Sequence, residues 1–177
     1  MDNRFLIVVD MQNDFVDGSL GTGEAVAIVP AVAERIRACR AAGWDVIATL
    51  DTHGENYLDT AEGRKLPVRH CIRGTDGWKL NPEVEKALGD STRLEKPTFG
   101  SVRLPEVIRE RLEGDKQPVI ELIGLCTDIC VASNALLLKA HFPEADISVR
   151  RSCCAGVTPA KHEAALETMT SCQIDIL

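Results

Sequence analysis

Basic clusters are missing from this chain, and no apolar stretch is long enough to cross a bilayer. The formal charge is −7, from 20 Lys and Arg against 27 Asp and Glu dispersed along 177 residues. That balance argues against nucleic acid and anionic membranes as partners and leaves a small molecule. After Asp2 and Arg4 the only early apolar run is Phe5 to Val9, too short for a signal-peptide core or a membrane span, so a cytoplasmic protein is expected. Aromatic residues are scarce, with four Phe, two Trp and one Tyr. The seven cysteines are odd in number and scattered, which fits reduced thiols better than a disulfide framework. No glycine follows the first apolar run until Gly18. A dinucleotide-binding turn needs glycines there to cradle phosphate, and the carboxylate of Asp10 would repel it.

What is present is a regular alternation of two patterns. Apolar runs at Phe5 to Val9, Val46 to Leu50, Val119 to Ile123 and Ile147 to Val149 read as buried strands. Between and after them, helices are expected at Val26 to Ala42, Pro82 to Leu88, Pro105 to Leu112, Asp128 to His141 and Pro159 to Ser171. Gly43 and Gly89 follow helix ends, while Pro105 and Pro159 stand at starts. This is the signature of βαβ units, and it predicts an α/β fold of three α/β/α layers with a doubly wound, mainly parallel sheet. With 45% hydrophobic residues, the chain can bury one sizeable core, so residues 1–177 are read as a single domain. The irregular stretch from Thr52 to Gly77 is too long for a passive connection and is expected to carry function.

Three segments place reactive groups at strand ends. Gly124-Leu125-Cys126-Thr127-Asp128-Ile129-Cys130-Val131 puts Cys130 in the first turn of a helix that Thr127 or Asp128 could cap. Free backbone N–H groups and the positive helix end would favour a thiolate there, although a cysteine in such a place can also be a small core residue. Asp10 closes the first strand, and Lys96 closes another before Pro97. Strand C-termini of an open parallel sheet share one edge, so Asp10, Lys96 and Cys130 would converge. A further set, Asp51, His53, Glu62 and His70, opens and punctuates the long irregular stretch, and its oxygen and nitrogen donors suit zinc, iron or manganese. Glu55 and Asp59 are possible substitutes among these ligands.

Together these segments resemble the isochorismatase-like cysteine hydrolases, whose amidase members include the nicotinamidases. Asp10 to Phe15 resembles the D-x-Q-N-D-F pattern, Lys96 the family lysine, Gly124 to Val131 the G-x-x-T-D-x-C-V pattern, and Cys154 to Pro159 a later C-A-G-V-T-P segment. The resemblance covers residue 5 to about residue 175 and implies a Rossmann-like topology. It implies an amidohydrolase in which Cys130 attacks an amide, Asp10 takes the thiol proton and Lys96 supports the charge. Backbone N–H groups of Cys126 and Cys130 would hold the oxyanion, with a cis peptide between Leu125 and Cys126. One divalent ion, zinc before iron or manganese, would be bound by Asp51, His53, Glu62 and His70 and would orient a pyridine nitrogen.

Substrate contacts are implied for Phe15, Tyr57 and Leu125. The family usually stacks an aromatic residue on the substrate three positions before the last histidine ligand, where this chain has Pro67. Phe15, Tyr57, Trp78 and Phe99 are the candidates to replace it. Asp128 is read as a helix cap, and Cys153 and Cys154 as buried thiols. A carbamoyl or ureido amidase without metal, an isochorismatase-like hydrolase and a non-catalytic small-molecule-binding domain remain as rival readings. Family members often form homo-oligomers, which is expected here by analogy.

Overall fold

The buried runs form strands because both of their faces find cover. In β1 (Arg4–Val9), the side chains of Phe5, Ile7 and Val9 enter one apolar cluster, while Leu6 and Val8 enter a second on the opposite face. That alternation divides the molecule into layers. The computed structural model describes residues 3–177. After β1 come α1 (Asn13–Val16), α2 (Gly23–Ala41), β2 (Asp45–Asp51), α3 (Ala61–Lys65), α4 (Pro82–Leu88) and β3 (Thr92–Lys96). The second half holds α5 (Arg103–Arg111), β4 (Val119–Leu125), α6 (Ala132–His141), β5 (Asp146–Ala155), α7 (Pro159–Ser171) and β6 (Asp175–Ile176).

The six strands form one sheet in the order β3-β2-β1-β4-β5-β6, with every neighbouring pair parallel. Helices α2 and α4 supply Val32, Ile36, Val84 and Leu88 to one face. Leu104 and Ile108 of α5, Leu138 of α6 and Met169 of α7 cover the other. The expected three-layer, doubly wound parallel sheet is therefore the observed one. Its winding reverses between β1 and β4, which opens a crevice beyond their C-terminal ends. Gly124 lets the two strands meet there. Its φ is +117°, and a Cβ at that position would lie 2.1 Å from the Val9 carbonyl oxygen.

Several boundaries differ from the sequence expectation for local reasons. Helix α2 starts at Gly23 and not Val26, because Thr22 Oγ1 accepts from Ala25 N at 3.0 Å. Helix α5 starts at Arg103, so Pro105 is its third residue. Strand β5 extends through Arg150, Arg151 and Ser152, which periodicity alone did not include, and β6 is an added edge strand. The stretch from Thr52 to Gly77 is structured in part, holding α3 and a 3₁₀ turn at Tyr57–Asp59. The helix expected from Asp128 begins instead as a π-helical turn over Thr127–Val131, in which Val131 N donates to Cys126 O at 3.1 Å.

Candidate active site

Asp10 leaves the end of β1 in a left-handed conformation, with φ at +48°. Its carboxylate is fully buried, and Thr49 on the neighbouring β2 donates to Oδ1 at 2.7 Å. Lys96, the last residue of β3, reaches across β2 to place Nζ 2.7 Å from Asp10 Oδ2, 3.3 Å from Asp51 Oδ1 and 3.4 Å from Cys130 Sγ. It also donates to Thr98 O at 3.1 Å. The structure thus brings Asp10, Lys96 and Cys130 together in the crevice between β1 and β4. Asp10 Oδ2 accepts no aligned hydrogen bond, although it lies against the ammonium.

Electrostatics refine the expectation for Cys130. Burial pushes its thiol well up, the Asp10 charge adds to the rise, and Lys96 offsets it only in part. Burial likewise raises Asp10, with Lys96 opposing and Asp51 adding to the shift. Lys96 is raised despite its own burial, because the charges at Asp10, Cys130 and Asp51 hold its proton. The helix start therefore does not outweigh burial at Cys130, and the Lys96 ammonium sits against both the sulfur and the Asp10 carboxyl. Thr127 and Asp128 do not cap the helix either. Thr127 Oγ1 is 2.8 Å from His162 Nδ1, and Asp128 Oδ1 accepts from Val157 N at 2.9 Å, tying the cysteine turn to the start of α7. The peptide bond between Leu125 and Cys126 is cis.

Asp51, His53, Glu62 and His70 each offer one donor atom, and these four atoms lie within 4.8 Å of one another. His53 Nε2 is 3.0 Å from Asp51 Oδ2 and 3.7 Å from Glu62 Oε1, and His70 Nε2 is 3.6 Å and 3.7 Å from the same two oxygens. A tetrahedral ion with bonds of about 2.0–2.1 Å sets its ligand atoms about 3.4 Å apart, so the quartet fits one divalent ion. An Nδ1–H of His70 donating to Val68 O at 2.8 Å turns the Nε2 lone pair toward the other donors. Burial would raise Asp51, but hydrogen bonding to His53 and His70 and the Lys96 charge hold it well below the usual carboxylate range. Glu55 is instead paired with Arg69, and Asp59 is exposed.

A cavity of about 270 Å³ joins the two groups, with Cys130, Asp51, Glu62 and His70 on its wall. Phe15 and Leu125 line it as expected, and so do Phe99 and Leu66. Tyr57 does not reach it. Its ring is fully buried, 4.7 Å from His53 and 4.9 Å from His70 by ring centroids, and its hydroxyl donates to Leu66 O at 2.9 Å. Tyr57 therefore backs the histidines. Trp78 is bound to Thr52 through Nε1 and lies off the cavity wall. Cys126 lines the cavity with a thiol that burial pushes up to about 12, and Cys153 and Cys154 are buried.

Two further residues act on the site without having been singled out from sequence. Gln12 Nε2 donates to Asp51 O while Gln12 Oε1 accepts from Asp51 N, at 2.8 and 2.7 Å. Asp14 Oδ2 accepts from Cys71 N at 2.8 Å, next to His70. Both lie in the Asp10 to Phe15 motif, whose spacing was the available signal.

Residues 4–177 match the family model described as Isochorismatase domain. The nicotinamidase/pyrazinamidase of Mycobacterium tuberculosis is 26% identical over 186 residues, covering 98% of this chain and 98% of its own. Among solved structures, the pyrazinamidase of Pyrococcus horikoshii in complex with zinc is similar with a TM-score of 0.85 and 31% identity, over 99% of this chain and 98% of that one. The N-carbamoylsarcosine amidase from Thermoplasma acidophilum is similar with a TM-score of 0.80 and 26% identity, over 98% and 94% of the two chains.

Proposed function

The chain belongs to the isochorismatase family, and we propose that it is an amidohydrolase that cleaves a nicotinamide-like amide through Cys130, with Asp10 and Lys96 as the other catalytic residues. The observation that carries this reading is the buried contact of Lys96 Nζ with both Asp10 Oδ2 and Cys130 Sγ, at 2.7 and 3.4 Å, on a cavity that also exposes Asp51, Glu62 and His70. Its relatives named nicotinamidase and pyrazinamidase supply the substrate class.

In this reading, Asp10 Oδ2 takes the thiol proton as the sulfur forms a bond to the amide carbon. A preformed thiolate is not required, since burial raises both groups and the proton passes between neighbours. Lys96 stays charged and keeps positive potential beside the sulfur. The tetrahedral oxyanion is received by the backbone N–H groups of Cys126 and Cys130, each worth about 3 kcal/mol of barrier. As the C–N bond breaks, Asp10 returns the proton to the leaving ammonia. Water then attacks the thioester, Asp10 takes its proton, and the acid leaves as Cys130 recovers its own.

Asp51, His53, Glu62 and His70 would hold one divalent ion, with zinc favoured by its presence in the Pyrococcus protein. When bound, the ion supplies a positive contact that orients a ring nitrogen of the substrate. Phe15, whose ring lies 5.5 Å from that of His70, is placed to pack on the ring where Pro67 cannot stack. Residues 1–177 form, in this reading, a single hydrolase domain. No helix among the described residues is long and apolar enough to cross a membrane.

The test is ammonia release from nicotinamide, pyrazinamide, and carbamoyl and ureido amides, with and without a chelator followed by added zinc, iron or manganese. Metal-dependent release from the pyridine and pyrazine amides is expected. Release confined to carbamoyl amides would favour the second reading, which the similarity to N-carbamoylsarcosine amidase supports. No release from any of them would overturn the proposal.

A further inference from the structure

Lys161 is the one charged residue of the cavity wall that neither the triad nor the metal quartet uses. It is the third residue of α7, where its backbone N–H donates to the capping Thr158 Oγ1 at 3.2 Å. The first turn of a helix is its positive end and ordinarily favours acidic side chains. Helix α7 has no acidic residue in its first turn and carries a lysine there instead. A cation in that place is not favoured by the helix dipole.

Nor does a neighbouring acid account for it. The exposed side chain of Lys161 makes no hydrogen bond or ion pair among the described residues. Glu163, two residues on, pairs with Arg151 at 2.7 Å, and Asp128 accepts from Val157 N at 2.9 Å. A cation on the wall of the cavity, apart from the Asp51, Glu62 and His70 side, is placed to meet an anionic group of what enters.

The sheet order places that counter-ion. Asp51 ends β2, Cys130 follows β4, and Lys161 follows β5. With the strands ordered β2-β1-β4-β5, the metal quartet and Lys161 flank the cysteine from opposite sides. A substrate whose amide lies over Cys130 and whose ring nitrogen faces the quartet would present its remaining edge to Lys161.

We propose that Lys161 makes the cavity selective for amides that carry a second, anionic group, such as a ring carboxylate, on the edge away from the metal quartet. The inference rests on the amidohydrolase reading and narrows its substrate class. A neutral amide uses only the cysteine and metal sides, whereas an acid-bearing amide also neutralises Lys161.

The experiment compares pyridine-3-carboxamide with its 5-carboxy derivative, reading kcat/KM for ammonia release by wild type, Lys161→Ala, Lys161→Arg and Lys161→Glu. An exposed charge pair is worth up to about 1 kcal/mol, so wild type is expected to favour the acid-bearing amide by about fivefold. Lys161→Ala should bring the ratio to about one, Lys161→Glu should invert it, and Lys161→Arg should keep it. Salt at 1 M should shrink the wild-type ratio, because the contact is open to solvent. A ratio unmoved by alanine and glutamate would overturn the role of Lys161 and leave the amidohydrolase intact. No ammonia from either amide would instead overturn the amidohydrolase reading. Calorimetric titration of the same zinc-supplemented variants with pyridine-3-carboxylate and pyridine-3,5-dicarboxylate then decides the matter for Lys161. Tighter dicarboxylate binding that alanine abolishes supports it, and equal binding across the variants removes it.

Discussion

Replacing Cys130 by alanine removes one sulfur from the cavity wall and leaves its backbone in the π-helical turn. The fold should persist, with the melting temperature changed by a few degrees, while ammonia release falls by at least about 10³-fold. Substantial residual turnover would exclude a cysteine mechanism. Asp14 gives a different residue-level test, because it touches neither the cavity nor the donor quartet and holds the backbone of Cys71 beside His70. Asp14→Ala should weaken zinc binding by about 10- to 100-fold, as loss of supporting groups around a metal ligand commonly does. Metal competition with a chromophoric chelator reads this directly, and unchanged affinity would make Asp14 a structural residue only. At this scale the sequence was informative for side chains whose chemistry is rare at strand ends, such as Asp10, Lys96 and the His53 to His70 set. It was silent on direction. Tyr57 has the composition of a substrate contact, yet its hydroxyl finds Leu66 O inside the protein. Its place behind the histidines depends on how the loop folds back.

Among the elements, β4 carries a charge that periodicity cannot explain. Glu121 is buried in the strand, and both Arg35 of α2 and Arg150 of β5 grip its carboxylate with paired hydrogen bonds of 2.6 to 3.1 Å. Burial would raise the Glu121 carboxyl, but the hydrogen bonds from Arg150 and Arg35 outweigh it and hold the group below its ordinary value of 4.5. A depressed folded-state value contributes stability that is fully present above about pH 4.5 and is lost as the pH falls through the folded-state value. Wild type should therefore lose melting temperature more steeply than Glu121→Gln when the pH is lowered from 5 to 3. Parallel curves would deny the cluster that role. At neutral pH, Glu121→Gln should cost about 2 kcal/mol, less than for a fully enclosed pair, because the arginines keep 25% and 29% of their side chains exposed. The strand cores and the helices that open with Pro82 and Pro159 were legible in sequence because their signals are local. The extension of β5 was not, since Arg150 is held by Glu121 across the sheet and only the paired strand makes it a strand residue. The π-helical turn escaped for a similar reason, as Asp128 looks like a cap and is spent on Val157.

For the molecule as a whole, an ion on the Asp51, His53, Glu62 and His70 donors would join separate parts of the chain. Asp51 and His53 extend from β2, Glu62 belongs to α3, and His70 follows α3 in the long connection. That connection is tied back by hydrogen bonds that include His53 N to Cys71 O at 2.9 Å and Arg73 N to His53 O at 3.0 Å. The Asp51 and Glu62 carboxylates share one donor cluster, and a bound ion would offset their mutual repulsion. An ion bound by the folded chain alone stabilises it by about 2.7 kcal/mol at a free concentration one hundred times its dissociation constant. In a chain of 177 residues that corresponds to about 5–10 °C in melting temperature. Treatment with a chelator should lower the melting temperature by this amount, zinc should restore it, and His53→Ala should remove the response. Because the readout is unfolding, it separates the metal site from the chemistry. A zinc-independent melting temperature in an active enzyme would leave Asp10, Lys96 and Cys130 in place and deny the quartet its ion. A zinc-dependent one in an inactive enzyme would keep the ion and redirect the search to the substrate.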